Sequence, residues 1–187
     1  MAGGTESSSG KFKELVLLLV ERSADDPRMS RVKLNKLLYL SDFEAFRRRG
    51  HSITGATYVR GEHGPMAAEL PGAEQELGRR GSLEWRRAEA GPHTQKIPVA
   101  REKADDHQFD GFELAVITEA LTELLPHGGK GASEWSHEQS AGWNLVDEEG
   151  DPIPYETAFI STQTPSREMF EQAERLAQER NWAEVRP

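Results

Sequence analysis

The sequence predicts a mainly α, α+β domain: a compact helical body with a small inserted antiparallel β ribbon. Long stretches towards both ends repeat apolar residues at helical spacing, whereas residues 56–100 hold the alternating, β-rich runs. Glycine and proline punctuate the joints between these stretches. At 187 residues the chain suits one domain plus tails, and a chain of this size buries roughly 70% of its unfolded surface.

Each element has its own signal. MAGGTESSSG (1–10) is small and polar and is expected to be a disordered tail. "KFKELVLLLVER" (11–22) sets Phe12, Leu15, Val16 and Leu19 on a wide apolar face, so a nearly buried helix follows. Residues 30–50 form the next helix, with Ser30 as N-cap, Gly50 just past its end and Arg47, Arg48 and Arg49 in its last turn. Leu34, Leu37, Leu38 and Ser41 run down one side of it, and Tyr39, Phe43 and Phe46 down another, which implies two packing partners. Residues 56–60 read as a strand. Pro65 then opens a short helix from Met66, which Pro71 and Gly72 interrupt. "LEWRR" (83–87) and "TQKIPVA" (94–100) are weaker strands, the second confined to an edge by Pro98. A helix over 109–129 carries an Asp110/Glu113 capping box and a Phe109–Leu114 staple, and ends at Pro126 and Gly128. A last amphipathic helix, 165–182, points Met169, Phe170, Ala173, Leu176 and Ala177 inward. The expected organisation is a tail (1–10), a domain (11–160) and a C-terminal helix (161–187) packing on it.

Composition narrows the function. Without cysteine there are no disulfides, thiolate zinc sites or cysteine nucleophiles. The start lacks the apolar run of a signal peptide, and "LVLLLV" (15–20) is too short to span a bilayer, so a soluble cytoplasmic protein is expected. The net charge of −9 is unevenly spread. Residues 1–101 carry 17 Lys and Arg against 13 Asp and Glu, whereas 102–187 carry 6 against 19. So acidic a half argues against direct nucleic-acid binding and suits a basic protein partner, or simply a solvated acidic face.

"EWSHEQSAGWNL" (134–145) resembles an active site, with Ser136, His137 and Glu138 in a row between Trp135 and Trp143. A zinc-protease helix needs His-Glu-x-x-His, and Ala141 stands where the second histidine belongs. No nucleophile elbow exists, and Ser136 and His137, as sequence neighbours on a helix, do not face each other. "HGGKG" (127–131) lacks the flanking residues of a phosphate loop and reads as a helix C-cap and linker. A composite site of His63, His137 and Glu138 in a metal-assisted hydrolase stays as the alternative. The structural reading makes Ser136 a helix N-cap with Gln139 three residues on, Trp143 an anchor on the core, and His137 a hydrogen-bonding corner.

"KLNKLLYLSDFEAFRRRGHSITGATYVRGEHGPM" (33–66), followed by "SHEQSAGWNLV" (136–146) and "GDPIPYETA" (150–158), resembles the Panacea domain of SocA-like antitoxins, also met in phage-associated proteins. The likeness covers roughly residues 12–160. It implies a bacterial or phage antitoxin that neutralises a cognate toxin by direct protein contact. It implies no catalytic residue, metal or cofactor; in the namesake pair the antitoxin is also an adaptor that delivers its toxin to a protease. Gly55, Gly64, Ser136, His137, Glu138, Trp143, Pro154 and Tyr155 are then expected to be structural motif residues. Tyr39, Asp42, Phe43, Tyr58, His63 and Pro65 are the expected partner contacts.

Overall fold

The computed structural model describes residues 3–90, 93–162, 171, 172 and 175. Its elements run α1 (Gly3–Arg22), α2 (Arg31–Arg49), β1 (Tyr58–Gly61), β2 (Gly64–Ala67), α3 (Leu70–Arg79), β3 (Leu83–Ala90), β4 (His93–Ala100), α4 (Gly111–Leu124), α5 (Gly129–Gln139) and α6 (Ala141–Leu145). Short 3-10 turns follow β4 and α6, at 106–108 and 155–159. The mainly α class with small antiparallel ribbons is as predicted. Among the described residues no helix is long and apolar enough to cross a membrane.

Helix α2 is the axis of the fold. It packs on α1, α4, α5, β2 and the 155–159 turn. Two apolar faces were expected, but residues 33–39, 41–43 and 45 are all buried, so α2 is enclosed nearly all round. That enclosure takes in Lys33, Asn35, Lys36, Ser41 and Asp42, each of which needs a partner inside. Ser41 Oγ donates to Leu37 O at 2.7 Å. Lys33 Nζ donates to Asp26 Oδ2 at 2.5 Å and to His127 O at 2.8 Å. The caps hold as read: Ser30 Oγ accepts from Lys33 N, and Gly50 closes the helix in the left-handed region at φ 78°.

Helix α1 begins at Gly3, earlier than the start at Lys11 that the apolar pattern gave. Its Phe12 and Leu15 to Val20 enter the core. The capping box on α4 is complete, and Glu113 also receives Lys11 and Arg49, which ties α1, α2 and α4 together at one carboxylate.

Two loop readings change. The chain at Pro65 is not a helix start: Gly64–Ala67 pairs with β1, with Arg60 opposite Pro65. The helix begins at Leu70, and Pro71 sits in its first turn, where a missing N–H costs nothing. The predicted 109–129 helix also ends early, at Leu124, and Gly129 starts α5. Arg28 collects the freed carbonyls of Leu125 and Pro126 at 2.8 and 2.9 Å, so this break is satisfied rather than frayed. The β3–β4 hairpin runs longer than either predicted strand and pairs Trp85 with Pro98. The predicted helix over 165–182 lies mostly outside the described residues; Glu171, Gln172 and Arg175 within it are helical and exposed.

The Lys33–Asp26 pair is the clearest energetic test of the fold. Both side chains are almost fully enclosed, so Asp26→Ala leaves an unpaired buried ammonium and should cost about 3–5 kcal/mol in chemical denaturation. The double replacement Asp26→Leu with Lys33→Met should recover most of that loss. A single variant as stable as wild type would show that the pair does not hold the α1–α2 joint.

Candidate functional site

Asp42, on the fourth turn of α2, is wholly enclosed. Its Oδ1 accepts from Ile53 N at 2.8 Å and Thr54 N at 2.9 Å, and its Oδ2 from Thr54 Oγ1 at 2.6 Å and the Tyr58 hydroxyl at 2.8 Å. One carboxylate thus clamps the whole 53–58 segment, which reverses direction after Gly50. Burial pushes the carboxyl above its ordinary value, and the four donated hydrogen bonds oppose that shift. Around it stands an aromatic cluster: Tyr39 on Phe43 at 4.0 Å, Phe43 on Tyr155 at 4.7 Å, and Tyr58 edge-on to both Tyr39 and Phe43. Tyr155 donates to Ala56 O at 2.7 Å. Burial lifts the Tyr39 phenol to about 12 and raises those of Tyr58 and Tyr155, so these hydroxyls stay protonated.

A second centre lies nearly two turns earlier on α2. Lys36 Nζ is buried and donates to Pro65 O at 2.8 Å. Gly64 presses against it at φ 98°, a conformation that side chains rarely take. A Cβ there would collide with Ser136 Oγ and lie 2.9 Å from Lys36 Nζ. Ser136 is fully buried inside α5 and donates to Ser133 O at 2.8 Å, while Ser133 Oγ donates to His63 O at 2.9 Å. Lys36, Gly64-Pro65 and Ser136, distant in sequence, therefore meet at one point.

His137 and Trp143 form the outer layer. Their rings stack at 4.0 Å and 9°. Trp143 Nε1 donates to Gly61 O at 2.9 Å, and the Arg60 guanidinium lies 4.1 Å over the indole and donates to Trp143 O. The 150–153 stretch extends the β1–β2 ribbon through Ile153 N to Tyr58 O at 2.7 Å and Arg60 N to Asp151 O at 2.9 Å.

The expected corner is rearranged. Ser136 is not an N-cap, because α5 runs through it to Gln139. The cap belongs to Ser140, whose Oγ accepts from Trp143 N at 3.1 Å and also pairs with the Tyr39 hydroxyl at 2.8 Å. The His137 ring makes no corner hydrogen bond: its Nε2 is enclosed without a partner among the described residues, and the ring is held by stacking, while its backbone carbonyl accepts from Asn144 Nδ2 at 2.8 Å. Burial, then the nearby charges of Lys36, Arg60 and His63, push its pKa down, which fits a neutral ring.

The expected partner contacts split. Tyr39, Asp42, Phe43, Tyr58 and Pro65 are buried in the free chain, whereas His63 is exposed at the β1–β2 turn. Of the other motif residues, Gly55 lies exposed at φ 72° and Pro154 caps the 155–159 turn. Glu138 is exposed on α5. His63, His137 and Glu138 do not form a metal-binding group; among the described residues no set of three or more His, Asp or Glu is so placed.

Lys36, Ser140, Arg60 and Asn35, whose side chain accepts from Ala67 N at 3.0 Å, were missed from sequence. For the lysine the available signal was a pair, Lys33 and Lys36, three apart among the leucines of α2, since charges enclosed there must be buried with partners.

Two predictions follow from the second centre. Desolvation holds the Lys36 amine at about 7 rather than its ordinary 10.5. Between those values the unfolded chain binds a proton that the folded chain does not, so this group's contribution to stability grows as pH rises and is lost as pH falls through 7. Wild type should therefore gain stability over Lys36→Met between pH 7 and 10, on the order of a few kcal/mol. Parallel curves would place a charged, paired lysine there. Gly55→Ala meets only backbone strain, about 1–2 kcal/mol, because nothing lies within 4 Å of its Cβ. Gly64→Ala adds a collision with a buried side chain and should cost clearly more by thermal melt; equal losses would mean that the Gly64–Ser136 approach relaxes freely.

The family model described as "Antitoxin SocA-like, Panacea domain" matches residues 34–144, more than half of the chain, from α2 through most of α6. No curated protein and no solved structure matches the chain.

Proposed function

The chain belongs to the SocA-like Panacea antitoxin family, and from that premise we propose that it neutralises a toxin protein by direct binding, without catalysing a reaction. The observation that carries this reading is where the reactive residue types sit. Asp42, Lys36 and Ser136 are fully enclosed and hydrogen-bonded to backbone or neighbouring side chains, and His137 is stacked on Trp143. Groups spent in this way hold a shape, and a shaped surface is what a binding protein needs.

The surface above the second centre supplies recognition. His63, Glu62 and Glu149 border a cleft of about 250 Å³ that also takes in Met66, Val32 and Arg31. Leu145, on α6, is 60% exposed, and Asp147, Glu148, Glu149 and Asp151 follow it, all exposed. Apolar anchors beside carboxylates suit a basic partner, as a toxin acting on RNA or the ribosome would be. The anchors set residence time and the acids steer encounter. Onward delivery of the captured toxin to a protease would need a further surface and is a separate step.

Co-expression with the toxin encoded beside this chain should restore growth, and the two should co-purify. Met66→Asp with Leu145→Asp should raise the off-rate at least ten-fold without lowering the melting temperature, while added salt should slow association more than it speeds dissociation. Growth rescue by a variant that does not bind the toxin, or no rescue by wild type in excess, would overturn direct neutralisation.

A further inference from the structure

The described chain runs into a groove that nothing described fills. Three adjoining recesses, of about 280, 130 and 590 Å³, lie along α2 and share Glu44 and Arg47. Their apolar lining comes from Leu40, Val116, Ala120, Trp135, Ala158 and Ile160. Phe159 and Ile160 at one end are 61% and 50% exposed, a large apolar area to leave in water. Four of the five rim charges pair among themselves: Glu44 holds Arg47 at 2.6 Å and Arg48 at 3.1 Å, and Arg48 also reaches Glu119 at 2.6 Å, while Glu123 accepts from Trp135 Nε1. The groove therefore suits an amphipathic occupant of nearly balanced charge.

We propose that this groove is the docking site of the chain's own C-terminal segment, residues 165–182. Three observations single out that occupant. Residues 158–162 line the end recess, so the chain leaves the described core from inside the groove and the segment begins three residues later. So short a tether gives an effective concentration in the millimolar range or above, which a free partner in the cell would have to exceed. Glu171, Gln172 and Arg175 are helical and exposed, and lie on one side at 100° per residue. Continued as a helix in that register, the sequence would set Met169, Phe170, Ala173, Leu176 and Ala177 on the opposite side, as one apolar stripe. Residues 163–187 carry 4 Arg and 5 Glu, so segment and rim are both nearly balanced in charge and little net repulsion opposes docking. An 18-residue helix would be about 27 Å long. The proposal is independent of the toxin, since it concerns the free chain.

The sequence contains no cysteine, which gives a clean test in the intact 187-residue chain. Ala173→Cys is paired in turn with Glu44→Cys, Glu119→Cys, Glu123→Cys and Ala158→Cys around the groove, and Gln172→Cys is paired with the same four as a control. Under mild oxidant at least one Ala173 pair should close within the monomer ten-fold faster than its Gln172 counterpart, and adding Phe170→Asp should abolish that difference. If no Ala173 pair outpaces its control, or if the bond forms between two chains, the segment does not occupy the groove of its own molecule.

Discussion

A carboxylate sealed inside the central helix constrains this structure more than any other group. Asp42 has no access to water, and its two oxygens are satisfied by four donors drawn from residues 53–58. A buried carboxylate without those donors would be costly, so α2 cannot be enclosed unless the following loop folds back onto it. Once the loop is in place Tyr58 is fixed, and β1 starts from Tyr58. The β1–β2 ribbon then presents Gly61 O to Trp143 and Pro65 O to Lys36, and its outer edge receives the 150–153 stretch. The second half of the domain is thereby positioned by a polar contact made in the first.

The same logic explains why the chain looks enzymatic in places. Ser136, His137, Lys36 and Asp42 are residue types that catalytic sites use, but here Lys36 and Asp42 hydrogen-bond other elements, Ser136 bonds within its own helix while Gly64 packs on it, and His137 stacks on Trp143. Such contacts add little net stability over a well-packed apolar core, yet they penalise misdocked alternatives heavily, because each wrong arrangement strands a polar group. A scaffold whose geometry is fixed in this way leaves its outer surface free to vary, which suits a family built to bind partners.

Much of the scaffold was legible in the sequence because it rests on local signals. The α2 caps at Ser30 and Gly50 and the Asp110/Glu113 capping box depend only on neighbours within four residues, and all appear where read. Failures came where a non-local partner decided. Pro65 has the local look of a helix start, but Lys36 claims its carbonyl and β1 claims its register. Ser136 has the spacing of a cap, but Gly64 packs against it from another element, and the cap passed to Ser140, which Tyr39 also contacts. At the site, Gly64 and Ser136 of the motif are buried, His137, Trp143 and Tyr155 are half-buried, and Gly55, Glu138 and Pro154 are exposed, while Tyr39, Phe43 and Tyr58, read as partner contacts, are buried in the free chain. Periodicity marks a face as apolar, but what covers that face is a tertiary fact.

The central claim is that the motif acts through shape and not through chemistry. It is tested most directly by measuring toxin neutralisation and thermal stability together across Asp42→Asn, Ser136→Ala, His137→Ala and Trp143→Ala. The account predicts that neutralisation falls only as far as the folded fraction falls, so that all four variants lie on one curve. A variant that melts like wild type, still binds the toxin and yet fails to neutralise it would contradict the account.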